Sequence, residues 1–110
     1  MCIRDRRLLD VAVIEGGVCG LCAAISLRQA CHRVTIYEAR DFVGEVGASI
    51  SCPANGSKWL HAWGIDVEKG DPVILRKLIM RDWQTGESTN VYDLADYRER
   101  FGFEYYMFHR

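Results

Sequence analysis

Three glycines and one acid carry the clearest chemical signal in this 110-residue chain. Gly16, Gly17 and Gly20 follow the apolar run Val11-Ala12-Val13-Ile14, and Glu38 closes a second β-branched run, Val34-Thr35-Ile36-Tyr37. A glycine has no Cβ, so an anion can come close to its main chain. A helix that begins just after it offers unpaired N–H groups and the positive end of its dipole. An acid roughly 20 residues past such glycines can accept hydrogen bonds from ribose hydroxyls. The chemistry is dinucleotide binding, with Gly17 against a pyrophosphate and Glu38 on a ribose.

The elements that must position these residues follow from the flanking sequence. Val11-Ala12-Val13-Ile14 reads as a short strand buried on both faces. Leu21-Cys22-Ala23-Ala24-Ile25-Ser26-Leu27 is rich in helix formers, and Gly20 lets that helix lie tightly against the first strand. Strand, glycine turn, helix, strand and acid make the first half of a dinucleotide-binding βαβ unit. One position departs from the pattern. The fingerprint G-x-G-x-x-G falls on Glu15-Gly16-Gly17-Val18-Cys19-Gly20, so its first glycine is a glutamate. Glu15 brings a Cβ and a negative charge to the turn beside the phosphates. The expectation is weakened anion binding, with Gly16 taking over the tight turn and Glu15 turned outward. The plain alternative is a βαβ packing unit that binds nothing.

Composition narrows the class. A hydrophobic share of 49% and a charged share of 26% are ordinary for one modest globular core. A net charge of −1 lacks the basic footprint of a nucleic-acid binder. No apolar run reaches membrane-spanning length, and residues 1–10 are too charged for a signal peptide. Five cysteines without a disulfide-scaffold spacing suit a reducing, cytoplasmic setting. Cys19-Gly20-Leu21-Cys22 has the Cys-x-x-Cys spacing of thiol oxidoreductases, and Cys31-His32 is the nearest further pair for a metal. The glycines and Glu38 have no role in thiol chemistry, so the cysteines read as small packed hydrophobes and no metal site is expected.

Along the rest of the chain, Met1-Cys2-Ile3-Arg4-Asp5 resembles the translation of a sequencing-adaptor end, which makes residues 1–6 a non-native or disordered lead. Residues 39–50 read as a glycine-punctuated loop. A short helix follows over Ser57-Lys58-Trp59-Leu60-His61-Ala62-Trp63, with Asn55 as N-cap and Gly64 as C-cap. Leu60 and Trp63 point inward, and His61 is a surface or packing histidine. Residues 73–83 and 88–94 form a β-hairpin about the turn Gln84-Thr85-Gly86-Glu87. Residues 93–100 are a solvated stretch with one loose helical turn, and residues 101–108 are rich in aromatic side chains. The division expected is a lead over 1–6, a βαβ unit with loop and short helix over 7–72, and the start of a second sheet over 73–110.

Taken together, Asp10 to Ala30, Val34 to Arg40, Gly44 to Ile50, Pro53-Ala54-Asn55, Trp83 to Glu87 and His109-Arg110 resemble the opening of the FAD-dependent aromatic monooxygenases. Within the class A flavoprotein hydroxylases, the salicylate-hydroxylase-like branch is the nearest match. The resemblance covers residues 9–110 but only the opening portion of a family member. It implies an α/β fold, a Rossmann-like βαβ FAD-binding unit followed by the first β-hairpin of a substrate-binding sheet, an incomplete domain. It also implies Gly17, Val18 and Gly20 against the FAD pyrophosphate, Glu38 on the adenosine ribose, and Ala39 and Arg40 flanking the adenosine. Ala48 would pass beside the flavin, and Arg110 would contact the cofactor. The activity implied is hydroxylation of a small aromatic substrate, with NAD(P)H reducing FAD and O₂ as oxidant. The flavin carries that chemistry, and no side chain is singled out as catalytic. Neither nucleic acid nor membrane is an expected partner, and the residues carry no signal of an oligomeric state.

Three other readings share part of this pattern. A nicotinamide-dependent dehydrogenase would continue with further strand–helix repeats in place of a loop and hairpin. An amine-oxidase-like flavoenzyme would carry a Gly-Gly-Arg turn soon after the acid, where this chain has Gly44-Glu45-Val46-Gly47. A non-catalytic remnant with impaired FAD binding is favoured by Glu15 and by the family motifs that lie beyond Arg110.

Overall fold

The computed structural model describes residues 7–41 and 49–109, which belong to two compact units, one within residues 1–45 and one within 46–110. In the first unit, β1 (Asp10–Ile14), α1 (Val18–Gln29) and β2 (Arg33–Tyr37) follow in order. β1 and β2 pair in parallel, from Asp10 opposite Arg33 to Ile14 opposite Tyr37. Their side chains alternate. Val11, Val13, Val34 and Ile36 are half-buried on the α1 side, while Ala12, Ile14, Thr35 and Tyr37 are exposed on the other face. The expectation of burial on both faces is met on one: Ile14 is 71% exposed and Tyr37 59%. A parallel sheet is stable with both faces covered, so this open face is its weak side. Outside the cleft, Arg33 and Asp10 form a two-point ion pair at the start of the strands (2.6 and 2.9 Å), exposed and of small energetic value.

α1 begins at Gly17, which stands as N-cap in extended conformation with no side-chain cap. Its C-terminus closes in a Schellman motif, with Cys31 N–H on the Arg28 carbonyl (2.9 Å) and His32 N–H on the Leu27 carbonyl (3.1 Å). Cys31 takes φ +69 there, a conformation usually left to glycine. Cys19 and Cys22 are free thiols, whereas Cys31 is disulfide-bonded, which departs from the expectation of reduced cysteines.

The second unit is a set of small antiparallel pairings. β3 (Ser49–Cys52) lies beside β7 (Tyr106–His109), and β7 in turn pairs with β4 (Val73–Ile74). Ser49 and Ile50, expected in the glycine-rich loop, therefore open a strand opposite His109 and Phe108. The long strand expected over 73–83 is split in two. Val73 and Ile74 pair with Met107 and Tyr106, and β5 (Lys77–Arg81) pairs with β6 (Ser88–Asp93) in the expected hairpin. At the hairpin turn Asp82 Oδ1 accepts the N–H groups of Thr85 (2.8 Å) and Gln84 (2.9 Å), which hold its carboxyl below the usual carboxylate range.

α2 (Ala54–Ala62) starts three residues before the stretch expected from Ser57, with Pro53 and not Asn55 as N-cap. Proline offers no side-chain acceptor, and the Tyr97 hydroxyl oxygen supplies one to Ala54 N–H at 3.1 Å. Gly64 is the C′ residue of a second Schellman motif, at φ +69, with Ile65 N–H on the Leu60 carbonyl (2.9 Å). Leu60 and Trp63 are half-buried as expected, and exposed His61 stacks on Phe103 with ring centroids 5.8 Å apart. Ser57 is fully buried, its hydroxyl donating to the Glu104 carbonyl (2.9 Å), which ties α2 to the chain entering β7. Residues 97–101 form α3 (Tyr97–Phe101), ended by Gly102 at φ +82. No helix among the described residues is long and apolar enough to cross a membrane.

Two glycines of the α1 entry differ in what they tolerate. A Cβ on Gly20 would collide with the Glu15 carbonyl oxygen, whereas one on Gly17 would meet nothing within 4 Å. Alanine gains about 1 kcal/mol of helix propensity at an interior position, but a collision with main chain costs roughly 1–3 kcal/mol or more. Gly20→Ala should lower the denaturant midpoint of the chain clearly, and Gly17→Ala should change stability by about 1 kcal/mol or less. Urea unfolding of the two variants side by side measures the difference.

Candidate functional site

A cleft of about 680 Å³ opens at the carboxyl ends of β1 and β2, the place where open α/β sheets bind ligands. Gly17, Glu38, Ala39 and Arg40 line it, together with Ile14, Glu15 and Tyr37. Four of the residues named from the sequence thus share one cleft. Val18 is the first residue of α1, 53% exposed, and Gly20 lies one turn in, packed on Glu15 and Val13. Ala48 and Arg110 lie outside the described residues. Ile14 and Tyr37 were not among the sequence candidates. Each is the last residue of its strand, next to the turn or the acid, and that position was the available signal.

Glu38 is held by the main chain. Its Oε1 accepts Arg40 N–H and its Oε2 accepts Gly16 N–H, both at 2.8 Å. These N–H groups, Arg40's first and Gly16's second, hold its carboxyl below the usual carboxylate range, so it is ionised at neutral pH. An ionised carboxylate has about four acceptor directions. Main-chain N–H groups of Arg40, Gly16 and Ala39 engage part of this capacity, and the rest is open to hydroxyl groups brought into the cleft.

Glu15 resolves the departure from the glycine fingerprint in an unexpected way. Gly16 does not take over the turn; Glu15 makes it, at φ +77. This is the left-handed region, where a residue with a Cβ carries a strain of order 1–3 kcal/mol. Its N–H donates to the Tyr37 carbonyl at 2.8 Å, and its own carbonyl lies where Gly20 passes. The Glu15 main chain is thereby anchored on both sides, against β2 and against α1. Glu15 is also one of the residues that line the cleft.

No acidic residue stands in the first turn of α1 and no side chain caps it. Its first helical hydrogen bond is Leu21 N–H to the Gly17 carbonyl (2.9 Å), so the N–H groups of Val18, Cys19 and Gly20 precede the helical ladder. Such a terminus suits a phosphate group. The absence of a Cβ at Gly17 keeps the approach open, and ionised Glu38 stands across the cleft as a hydroxyl acceptor. The residues present fit a dinucleotide in these respects, and the Glu15 charge opposes it.

The Glu38 clasp is open to a direct test by pH. A carboxyl whose folded-state pKa is lowered stabilises the fold above its unfolded value and loses that contribution as pH falls through the folded value. The Gly16 and Arg40 amide resonances should therefore hold steady down to about pH 4.3, the ordinary glutamate value, and shift only below it. In Glu38→Gln both should be displaced already at pH 7 and no longer follow that titration. Two-dimensional ¹H–¹⁵N spectra across pH 2.5–7 read both effects.

Comparison with known proteins places this geometry. Residues 13–76 match the NAD(P)-binding Rossmann-like domain. The hispidin-3-hydroxylase of Neonothopanus nambi is 34% identical over 104 residues, covering 93% of this chain and 24% of that protein. The crystal structure of Klebsiella pneumoniae HpxO complexed with FAD and uric acid superposes with a TM-score of 0.71 at 31% identity, covering 94% of this chain and 26% of that one. A probable polyamine oxidase of Arabidopsis thaliana is 36% identical over 89 residues, covering 76% of this chain and 18% of its own length. The chain thus spans about a quarter, or less, of the length of these relatives. It belongs to the NAD(P)-binding Rossmann-like domain family, and it corresponds to the N-terminal quarter of the FAD-dependent aromatic hydroxylase-like proteins.

Proposed function

We propose that this chain is the FAD-binding portion of a flavin-dependent monooxygenase that hydroxylates a small aromatic substrate with NAD(P)H and O₂. The observation that carries the reading is the cleft at the ends of β1 and β2, where an uncapped helix N-terminus at Gly17 faces an ionised Glu38. In this reading Gly17, Val18 and Gly20 receive the pyrophosphate through main-chain N–H groups and close packing. Glu38 orients the adenosine ribose with its remaining acceptor capacity, while Ala39 and Arg40 flank the adenosine. Ala48 and Arg110 are assigned to the flavin side. Bound FAD would supply the redox chemistry, and this chain's residues hold and orient its adenosine and phosphate half.

A second reading has an observation in its favour. The likeness to a polyamine oxidase supports a flavin amine oxidase, which shares the cofactor-binding opening. That match takes in 76% of the chain, against 93% for the hispidin-3-hydroxylase. The wider coverage supports the hydroxylase, and both readings agree on FAD.

FAD binding by the purified chain is the test. Flavin fluorescence should change saturably on titration, and Glu38→Ala should weaken binding about tenfold or more, in line with the loss of hydrogen bonds to a charged acceptor. Glu15→Gly, which removes both the strain at φ +77 and the charge, should bind more tightly than the unaltered chain. Absence of saturable binding by both the unaltered chain and Glu15→Gly would count against an FAD site formed by these residues and for a non-catalytic remnant.

A further inference from the structure

We infer that Cys19 and Cys22 form a reversible dithiol–disulfide switch at the start of α1, and that closing it lowers the affinity of the cleft for a dinucleotide's pyrophosphate. The effect on affinity rests on the FAD-binding reading; the bond itself does not. Cys19 and Cys22 are the second and fifth residues of α1, and both are free thiols. Packing as small hydrophobes accounts for half-buried Cys22 and not for Cys19, which is exposed. Helix geometry sets the Cα atoms of residues three apart at about 5 Å. That lies inside the roughly 4.4–6.8 Å that a disulfide spans. Residues three apart also share a helix face, so the two side chains are neighbours along α1. The exposed thiol is open to a reagent from solvent, and the half-buried one stands three residues behind it.

The reaction is a two-step exchange with a small cyclic disulfide of the lipoic acid type. The Cys19 thiolate attacks one sulfur of the ring, the ring S–S bond breaks, and the reagent stays on Cys19 as a mixed disulfide with its other sulfur a thiolate. The Cys22 thiolate then attacks the Cys19 sulfur, which forms the Cys19–Cys22 bond and releases the reagent. The chain loses two electrons and two protons, and the reagent leaves as a dithiol. Closure deforms the turn that would hold the phosphate. Cβ atoms three residues apart on a helix stand roughly 5–6 Å from each other, whereas a disulfide brings them to about 3.5–4.5 Å. Gly20 lies between the two cysteines and close against the Glu15 carbonyl oxygen, so the turn cannot yield toward β1. The deformation falls on the main-chain N–H groups of Val18, Cys19 and Gly20, which precede the helical ladder.

The experiment equilibrates the unaltered chain and Cys22→Ser with lipoic acid or with its reduced dithiol. One portion of each is alkylated and digested with trypsin for mass spectrometry, and another is titrated with FAD. Cleavage after Arg7 and Arg28 leaves Cys19 and Cys22 in one peptide with no other cysteine. After oxidation that peptide should resist alkylation and weigh two hydrogens less than its reduced form. The oxidised chain should bind FAD about tenfold more weakly than the reduced chain, in line with the loss of one hydrogen bond to a charged group, and the dithiol should restore it. Cys22→Ser should bind equally in both conditions, because the reagent recloses its own ring and leaves Cys19 a thiol. That variant retains Cys31, so an effect arising at Cys31 appears in both proteins and overturns the inference. Alkylation of the peptide after oxidation, or a bond from either cysteine to Cys31, overturns it too. So does a Cys19–Cys22 bond with unchanged FAD affinity, and all these outcomes leave FAD binding standing. If the reduced chain binds no FAD, the FAD reading falls and the switch of affinity falls with it, whether or not the bond forms.

Discussion

The cleft depends on one carboxylate. Glu38 receives main-chain N–H groups from Gly16 and from Arg40 at 2.8 Å each, and so ties the glycine turn to the end of β2. The link is local in space and distant in sequence, 22 residues apart on the Gly16 side. It sits beside a second tie, from Glu15 N–H to the Tyr37 carbonyl, which continues the parallel pairing of β1 and β2 past its last residue. Together they set where the N-terminus of α1 points. Since both donors favour the ionised form, the charge that would recognise a ribose is also the charge that holds the turn.

That arrangement leaves Glu15 little freedom. The first fingerprint glycine is usual because the turn needs a left-handed residue, and here glutamate occupies that conformation at φ +77. The close approach of α1, possible because Gly20 has no side chain, closes the other exit. Strain and charge therefore coincide at one position of the cleft. Proteins retain such strain where the surrounding structure over-determines it; here the Glu15–Tyr37 backbone hydrogen bond, the Glu38 carboxylate on Gly16 N–H and one helix packing contact do so.

The rest of the chain is thinly covered. Among the described residues only Ala24, Val67 and Tyr106 form buried apolar positions, with Ser57 the fully buried polar one. Ile14, Tyr37 and both strands of the β5–β6 hairpin are exposed, and the hairpin carries Leu78, Ile79, Met80, Val91 and Tyr92 into solvent. A two-stranded hairpin is marginal by itself in water. The relatives are about four times as long, and extensive open apolar surface is what a quarter of such a length leaves exposed.

The sequence alone determined the βαβ unit, because its signals are local. A β-branched run, glycines with a defined spacing and a helix-forming stretch each act within a few residues, and Gly64 and Gly86 marked a helix end and a hairpin turn for the same reason. The spacing of the βαβ pattern also pointed to Gly17, Glu38, Ala39 and Arg40, which share one cleft. What tertiary structure decided are the partners that lie far along the chain. The start of α2 lies at Ala54, where the Tyr97 hydroxyl, 43 residues away, accepts the Ala54 N–H. The strand expected over 73–83 broke because β7 competes for Val73 and Ile74 while β6 takes Lys77–Arg81. Glu15, not Gly16, became the turn residue because Tyr37 and Gly20 grip its backbone from opposite sides. Local propensity cannot foresee such choices, since each one depends on a group that only the folded chain brings near.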